Sequence, residues 1–252
     1  MLEHFKGEEV FVKKVLEYKD QALYKQRLIL TSFLDPYHQS IVRSIIGQSD
    51  ELQVLAFGGF LNNESQRMII APDFYEIEKD DFEIIVLQIQ YQQKFEKLTH
   101  RDVLGAVMSL GIKRELFGDI ASQQDGFYIA IEKNLYPYLS ANLTTIKHSH
   151  VHLHVYTDPV EIQNQYLVKS FIVSSLRLDK IISSFYKIPR TKAADYIRAG
   201  YVKVNHKPVE QINYLCNNSD IISFKGHGRV KFVDCHRQTR SNNYVVEGYF
   251  YK

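Results

Sequence analysis

Residues 175–231 read SLRLDKIISSFYKIPRTKAADYIRAGYVKVNHKPVEQINYLCNNSDIISFKGHGRVK. Leu178, Ile181, Ile182 and Phe185 recur at helical spacing, which predicts an amphipathic helix opened by Arg177-Leu178-Asp179-Lys180 and capped by Ser174 or Ser175. Pro189 ends it, and a second helix starts at Arg190-Thr191-Lys192 with Thr191 as N-cap and stops at Gly200. Tyr201-Val202-Lys203-Val204 alternates as a strand, Asn205-His206 is a turn, and Ile221–Phe224 is a further strand after the Asn217–Asp220 turn cluster. The charge is split. Residues 170–252 hold 14 Lys and Arg against 6 Asp and Glu, whereas residues 1–169 hold 17 against 23. Clustered cations favour a polyanion because each neutralised phosphate releases condensed counterions. This end of the chain is therefore expected to bind nucleic acid.

The spaced features Arg-Leu-Asp-Lys at 177–180, Arg-Thr-Lys-Ala at 190–193, Ile197 and Gly200 followed by Val202 and Val204-Asn205, and Asp220 with Ile222 resemble the RNA-binding domain named after ribosomal small-subunit protein four, the αL motif. The resemblance implies that Arg177 and Arg190 contact RNA backbone, with Lys180, Thr191, Lys192, Lys203, Asn205 and Lys207 in support. Asp179 is expected to orient Arg177 or to cap a helix, and Arg198 to be a solvated helix residue.

A second marked stretch runs from Thr99 to Ile120, THRDVLGAVMSLGIKRELFGDI. Thr99 is a sound N-cap and Gly111 a sound helix stop. The stretch resembles a signature of the YlmH-like bacterial RNA-binding proteins, which join an RRM-like middle domain to the C-terminal domain just described. Phe57-Gly58-Gly59-Phe60 through Glu64 and Arg67 resembles a second family motif, departing from it at Glu64-Ser65, where the family has Glu-Arg. Arg101, Lys113 and Arg114 are a candidate second RNA contact. His100-Arg101-Asp102 mimics the catalytic triplet of protein kinases, but the glycine-rich loop and Asp-Phe-Gly are missing. It is read as a capped helix start with an internal Arg–Asp pair.

The fold class expected is α+β. A helical N-terminal region covers 1–50, with helices over 8–30 and 36–47, the second started by Asp35-Pro36. A ferredoxin-like or RRM-like domain covers 51–157, a docked connector 158–174, and the RNA-binding domain with its C-terminal strand or tail 175–252. Within the middle domain, strands are predicted at Leu52–Phe57, Phe82–Tyr91, Phe127–Glu132 and Ser149–Tyr156, and helices at 99–110 and Leu135–Ile146. No aromatic-Gly-aromatic run lies on these strands, so base stacking by this domain is not expected, and its role is read as a scaffold or a protein-facing surface. His148, His150, His152 and His154 share one strand face, which is read as a polar solvent face or as a helix-covered surface with satisfied imidazoles. One strand cannot wrap four ligands around a zinc ion, so no metal is assigned.

Cys216 and Cys235 have neither metal nor redox spacing, the N-terminus lacks an apolar signal core, and no apolar run reaches membrane-spanning length. The expected location is cytoplasmic, with no cofactor and no membrane partner. The Tyr- and Asn-rich tail Arg237–Lys252 is left between finishing the last sheet and touching a partner. The family resemblance implies a non-catalytic factor. It would bind ribosomal RNA and tRNA on the large ribosomal subunit and stabilise peptidyl-tRNA while stalled nascent chains are tailed in ribosome-associated quality control. A nascent-chain tailing factor is a further candidate partner. Two alternatives stay open at this point. One is an RNA-modifying enzyme, of pseudouridine synthase or methyltransferase type, targeted by the same RNA-binding domain. The other is a cell-division-associated adaptor.

Overall fold

The computed structural model describes Phe5 and residues 7–47, 49–94, 96–162 and 166–251. The chain forms two compact units, 1–163 and 164–252.

In the first unit, helices α1 (Glu9–Tyr24) and α2 (Pro36–Ile46) pack on a three-stranded sheet, order β1-β3-β2, made of β1 (Ile29–Leu30), β2 (Leu52–Phe57) and β3 (Arg67–Pro72). Val12, Val15, Ile41, Ile45, Met68 and Ile70 meet in its core. The central strand β3 is buried at all six positions, so its near-continuous apolar run needs no alternation. Two expectations are corrected here. The first helix stops at Tyr24 because Gln26 takes a left-handed backbone (φ 50°), and the chain re-enters as β1. Leu52–Phe57 pairs with Arg67–Pro72 and lies outside the larger sheet to which its alternation assigned it.

That larger sheet has the order β5-β6-β4-β8-β7, from β4 (Ile84–Tyr91), β5 (Phe117–Gln123), β6 (Gly126–Glu132), β7 (Thr145–Ile146) and β8 (Ser149–Tyr156). With α3 (His100–Ser109) after β4 and α4 (Tyr136–Asn142) after β6, the succession is βαββα followed by the β7–β8 hairpin, and every neighbouring pair is antiparallel. This is the ferredoxin-like arrangement. Both helices cover one face, where Leu87, Ile89, Val103, Val107, Ile129 and Leu139 are buried. The helix expected over Leu135–Ile146 ends at Asn142. Leu139, Leu143 and Ile146 fit helical spacing, yet the last two are buried from a turn and from β7. Strand β5 was not anticipated.

The second unit is a six-stranded antiparallel sheet, order β11-β10-β12-β13-β14-β9, with α5 (Leu178–Tyr186) and α6 (Arg190–Arg198) on one face. Its strands are β9 (Tyr166–Val173), β10 (Val202–Val204), β11 (Lys207–Pro208), β12 (Ile221–Phe224), β13 (Gly228–Gln238) and β14 (Tyr244–Tyr251). The tail thus completes a sheet. The segment expected as a connector contributes β9, paired along eight positions with β14, while residues 163–165 lie outside the described residues. Leu178, Ile181, Ile182, Ala193, Ile197, Val230, Phe232 and Val246 form the common core. Both N-cap expectations are corrected. Arg177 occupies the N-cap of α5 and Pro189 that of α6, without side-chain capping, and Thr191 lies inside the first turn.

Candidate RNA interface

Asp179 sits in the first turn of α5 with its carboxylate 2 % exposed. Arg177 Nε donates to Oδ1 at 3.0 Å and Nη2 to Oδ2 at 3.3 Å. Arg190, eleven residues on at the start of α6, donates from Nε to Oδ2 at 2.7 Å. One buried carboxylate therefore fixes two arginines from two helices. The arginine side chains remain 33 % and 50 % exposed, so their outer N–H groups face solvent. Burial alone would raise the Asp179 pKa, but the hydrogen bonds from Arg190 and Arg177 outweigh it and hold the group below the ordinary aspartate value. Two guanidiniums held at fixed orientation suit phosphate oxygens, which they bind in a planar fork.

Lys180 joins this side of the domain, its Nζ donating to Ser174 Oγ at 3.0 Å. Thr191 and Lys192 are exposed in the first turn of α6. The other expected contacts lie elsewhere. Val202 and Val204 point into the core under the helices, so Lys203 between them faces the opposite side of the sheet. Asn205 and His206 both have positive φ (49° and 68°), as a two-residue hairpin turn between β10 and β11 requires. The Asn205 side chain is consumed in holding that turn, donating to the buried Asp220 at 2.8 Å and accepting from the Ile221 N–H at 2.9 Å. Lys207 is exposed on the return strand. Arg198 pairs with Asp195 at 3.2 Å on the surface.

In the first unit, the second candidate set divides. Arg101 and Lys113 are exposed. Arg114 donates to the Phe117 carbonyl and lies over the Phe117 ring at 4.6 Å, which binds it to the fold. Asp102 forms a reciprocal capping box with Thr99 and pairs with Lys147 at 2.7 Å, not with Arg101. Those contacts, the Lys147 bond foremost, lower its pKa to about 2. His150, His152 and His154 are exposed on β8, while His148 precedes the strand, and the described residues contain no cluster able to hold a metal.

The two motif stretches of this unit meet. Asp119 accepts from the Glu64 and Ser65 backbone N–H groups at 2.6 and 3.0 Å. At Gly58 an added Cβ would lie 2.3 Å from the Ser65 carbonyl, and at Gly118 one would lie 2.6 Å from the Phe33 ring. Phe33, Phe60 and Val160 then cover Tyr128 and Ala130 on the helix-free face of the five-stranded sheet. Arg67 closes the junction, donating to Thr31 O (2.8 Å) and Phe82 O (3.0 Å) and facing Glu132 at 3.6 Å. Sequence reasoning identified these motifs but not that they are one joint. The signal was the run of glycines at positions of close approach.

Residues 7–75 match the family model described as YlmH, N-terminal, residues 78–158 that of the RNA-binding domain in YlmH, and residues 176–222 the S4 domain. The chain is 32 % identical over 252 residues to the ribosome-associated protein quality control protein P2 of Bacillus subtilis (strain 168), covering 97 % of this chain and 96 % of the relative. This protein belongs to the YlmH family. A solved structure, the cell division protein ylmH from Streptococcus pneumoniae, is similar at 29 % identity with a TM-score of 0.53, covering 60 % of this chain and 92 % of its own. As a YlmH-family member the chain carries an S4 RNA-binding domain, and the Asp179-centred arginine pair lies within its matched residues. Among the described residues of this YlmH-family chain, no helix is long and apolar enough to cross a membrane.

Proposed function

We propose that this protein is a non-catalytic cytoplasmic factor that binds the large ribosomal subunit and stabilises peptidyl-tRNA while a stalled nascent chain is tailed during ribosome-associated quality control. The observation that carries the reading is the arginine pair at Asp179: Arg177 and Arg190 are held by one buried carboxylate and keep solvent-facing donors for phosphate. The relative named as a quality-control protein supports the ribosomal setting, since the two chains match over nearly their full lengths. The mechanism is positional. Arg177 and Arg190 clamp RNA backbones with Lys180 and Lys192 in support, and Arg101 and Lys113 on the first unit provide a second, weaker contact. Asn205 contributes by shaping the hairpin, and Lys203 and Lys207 by local charge. Backbone contacts position without reading sequence. A nascent-chain tailing factor is the expected protein partner.

Sucrose-gradient sedimentation with purified large subunits, with and without bound peptidyl-tRNA, tests the assignment. The protein is expected to migrate with the subunits and more completely when peptidyl-tRNA is present. Equal migration in both cases removes the tRNA from the account, and no migration removes the ribosome.

A further inference from the structure

The face of the six-stranded sheet turned away from α5 and α6 has a composition of its own. Cross-strand register places Lys203 opposite Ser223 and Ser223 opposite Arg229 on one rung, and Lys231 opposite Tyr249 and Tyr249 opposite Val168 on the next. Tyr251 lies opposite Tyr166. The alternate residues, Val204, Ile222, Val230, Phe232 and Val246, are buried under the helices, so this set faces outward. Three tyrosine rings cluster here, with Tyr166 4.9 Å from Tyr251 and 5.8 Å from Tyr249 in edge-on contact. The Arg229 guanidinium lies 4.5 Å over the Tyr251 ring. Arg229, Lys231 and Lys203 share this face with Glu247, which accepts from Tyr249 Oη (3.3 Å) and Ser170 Oγ (3.4 Å).

We infer that this face is a second RNA site, a stacking platform for a short single-stranded segment, additional to the Asp179-centred clamp. Rings on an open sheet offer π-faces to unstacked bases, and cations beside them take the phosphates. A duplex hides its bases and cannot use the rings. The same face also exposes Val168 (46 %) and Ile172 (61 %) on the edge strand β9, which raises a second copy of the chain as a rival occupant. Charge favours RNA: a two-fold self-contact would bring the same cations against each other, whereas a polyanion neutralises them. The platform also supplies on this unit what the five-stranded sheet lacks, where Phe33 and Phe60 cover the corresponding face.

Fluorescence anisotropy of the full-length protein with a labelled single-stranded RNA decamer, and with the same strand annealed into a duplex, tests this. The double variant Tyr166→Leu/Tyr251→Leu is expected to lose at least about tenfold in decamer affinity while keeping duplex affinity, and Tyr166→Phe/Tyr251→Phe, which retains both rings, to bind as wild type. Arg177→Ala/Arg190→Ala is expected to show the converse, with the larger loss on the duplex. If the leucine variant fails to fold, Arg229→Gln/Lys231→Gln is expected to lose more affinity for the decamer than for the duplex. Decamer binding unchanged in the platform variants, or lost equally for both RNAs, overturns the inference. So does a platform variant that leaves decamer binding intact but abolishes self-association in sedimentation equilibrium, which assigns the face to a second copy.

Discussion

Arg190 Nε and Asp179 Oδ2 are 2.7 Å apart, a contact that joins the first turns of α5 and α6 around a carboxylate almost wholly removed from solvent. The same carboxylate holds Arg177. Asp179 therefore acts on RNA through the two arginines it positions. Replacing it with Asn keeps the shape and removes the charge. Asp179→Asn is expected to weaken RNA binding severalfold and to cost about 1–3 kcal/mol of stability at neutral pH, read by urea denaturation, since each charge-assisted bond lost is of that order. A variant with wild-type RNA affinity contradicts the positioning role.

The acid limb of stability follows from the same contact. The folded pKa of Asp179 is depressed, so its contribution is fully present above the unfolded value near 3.8 and disappears as pH falls through the lower folded value. Asp102, lowered to about 2, acts in the same direction. Wild type is expected to lose stability between roughly pH 4 and 2 more steeply than Asp179→Asn/Asp102→Asn, as followed by circular dichroism. Parallel acid limbs contradict it.

Arg67 is buried and satisfies the carbonyls of Thr31 and Phe82 while facing Glu132. Removing it strands those groups and leaves a buried carboxylate, so Arg67→Met is expected to cost about 3–5 kcal/mol. Burial raises the Glu132 pKa, the pull of Arg67 notwithstanding. A raised carboxyl pKa stabilises the fold at low pH and loses that contribution as pH rises through the folded value. The variant's deficit is therefore expected to grow from pH 5 to pH 8, and Arg67→Met/Glu132→Gln to recover part of it at pH 8. A deficit independent of pH argues against the pairing.

His38 carries a smaller switch. Its ring nitrogens contact Asp35 at 2.8 Å and Glu8 at 3.3 Å, and the hydrogen bond to Asp35, with burial opposing, raises its pKa. The contribution is present below about pH 6.5 and fades as pH rises through the folded value. His38→Gln is expected to destabilise by under about 1 kcal/mol at pH 5.5 and by less at pH 8.5. A larger loss at the higher pH contradicts the sign.

The C-terminal helices were legible because Leu178, Ile181, Ile182 and Phe185 carry an unbroken helical period, and all four are buried as expected. The family resemblance carried by the Arg-Leu-Asp-Lys and Arg-Thr-Lys-Ala strings pointed to both arginines, and Asp179 was expected to orient Arg177 or to cap a helix; that it also holds Arg190 was not anticipated. Strand membership was not. Leu52–Phe57 and Tyr166–Val173 alternate or run apolar like any strand, and nothing in their own residues names the partner strand they pair with across long loops. The opposite facing of Lys203 was available from Val202 and Val204, whose alternation puts the lysine on the other side. The junction at Asp119 was hidden because its acceptors are bonded to backbone N–H groups, which any residue at 64 and 65 supplies.

The central claim is that Arg177 and Arg190, fixed by Asp179, hold RNA backbone on the large ribosomal subunit. The direct test is co-sedimentation with large subunits bearing obstructed peptidyl-tRNA across a salt series, for wild type, Arg177→Ala and Arg190→Ala. Wild type is expected to pellet with a steep salt dependence, and each variant to lose affinity and flatten the log–log salt slope by about one. Variants that pellet like wild type with an unchanged slope contradict the clamp.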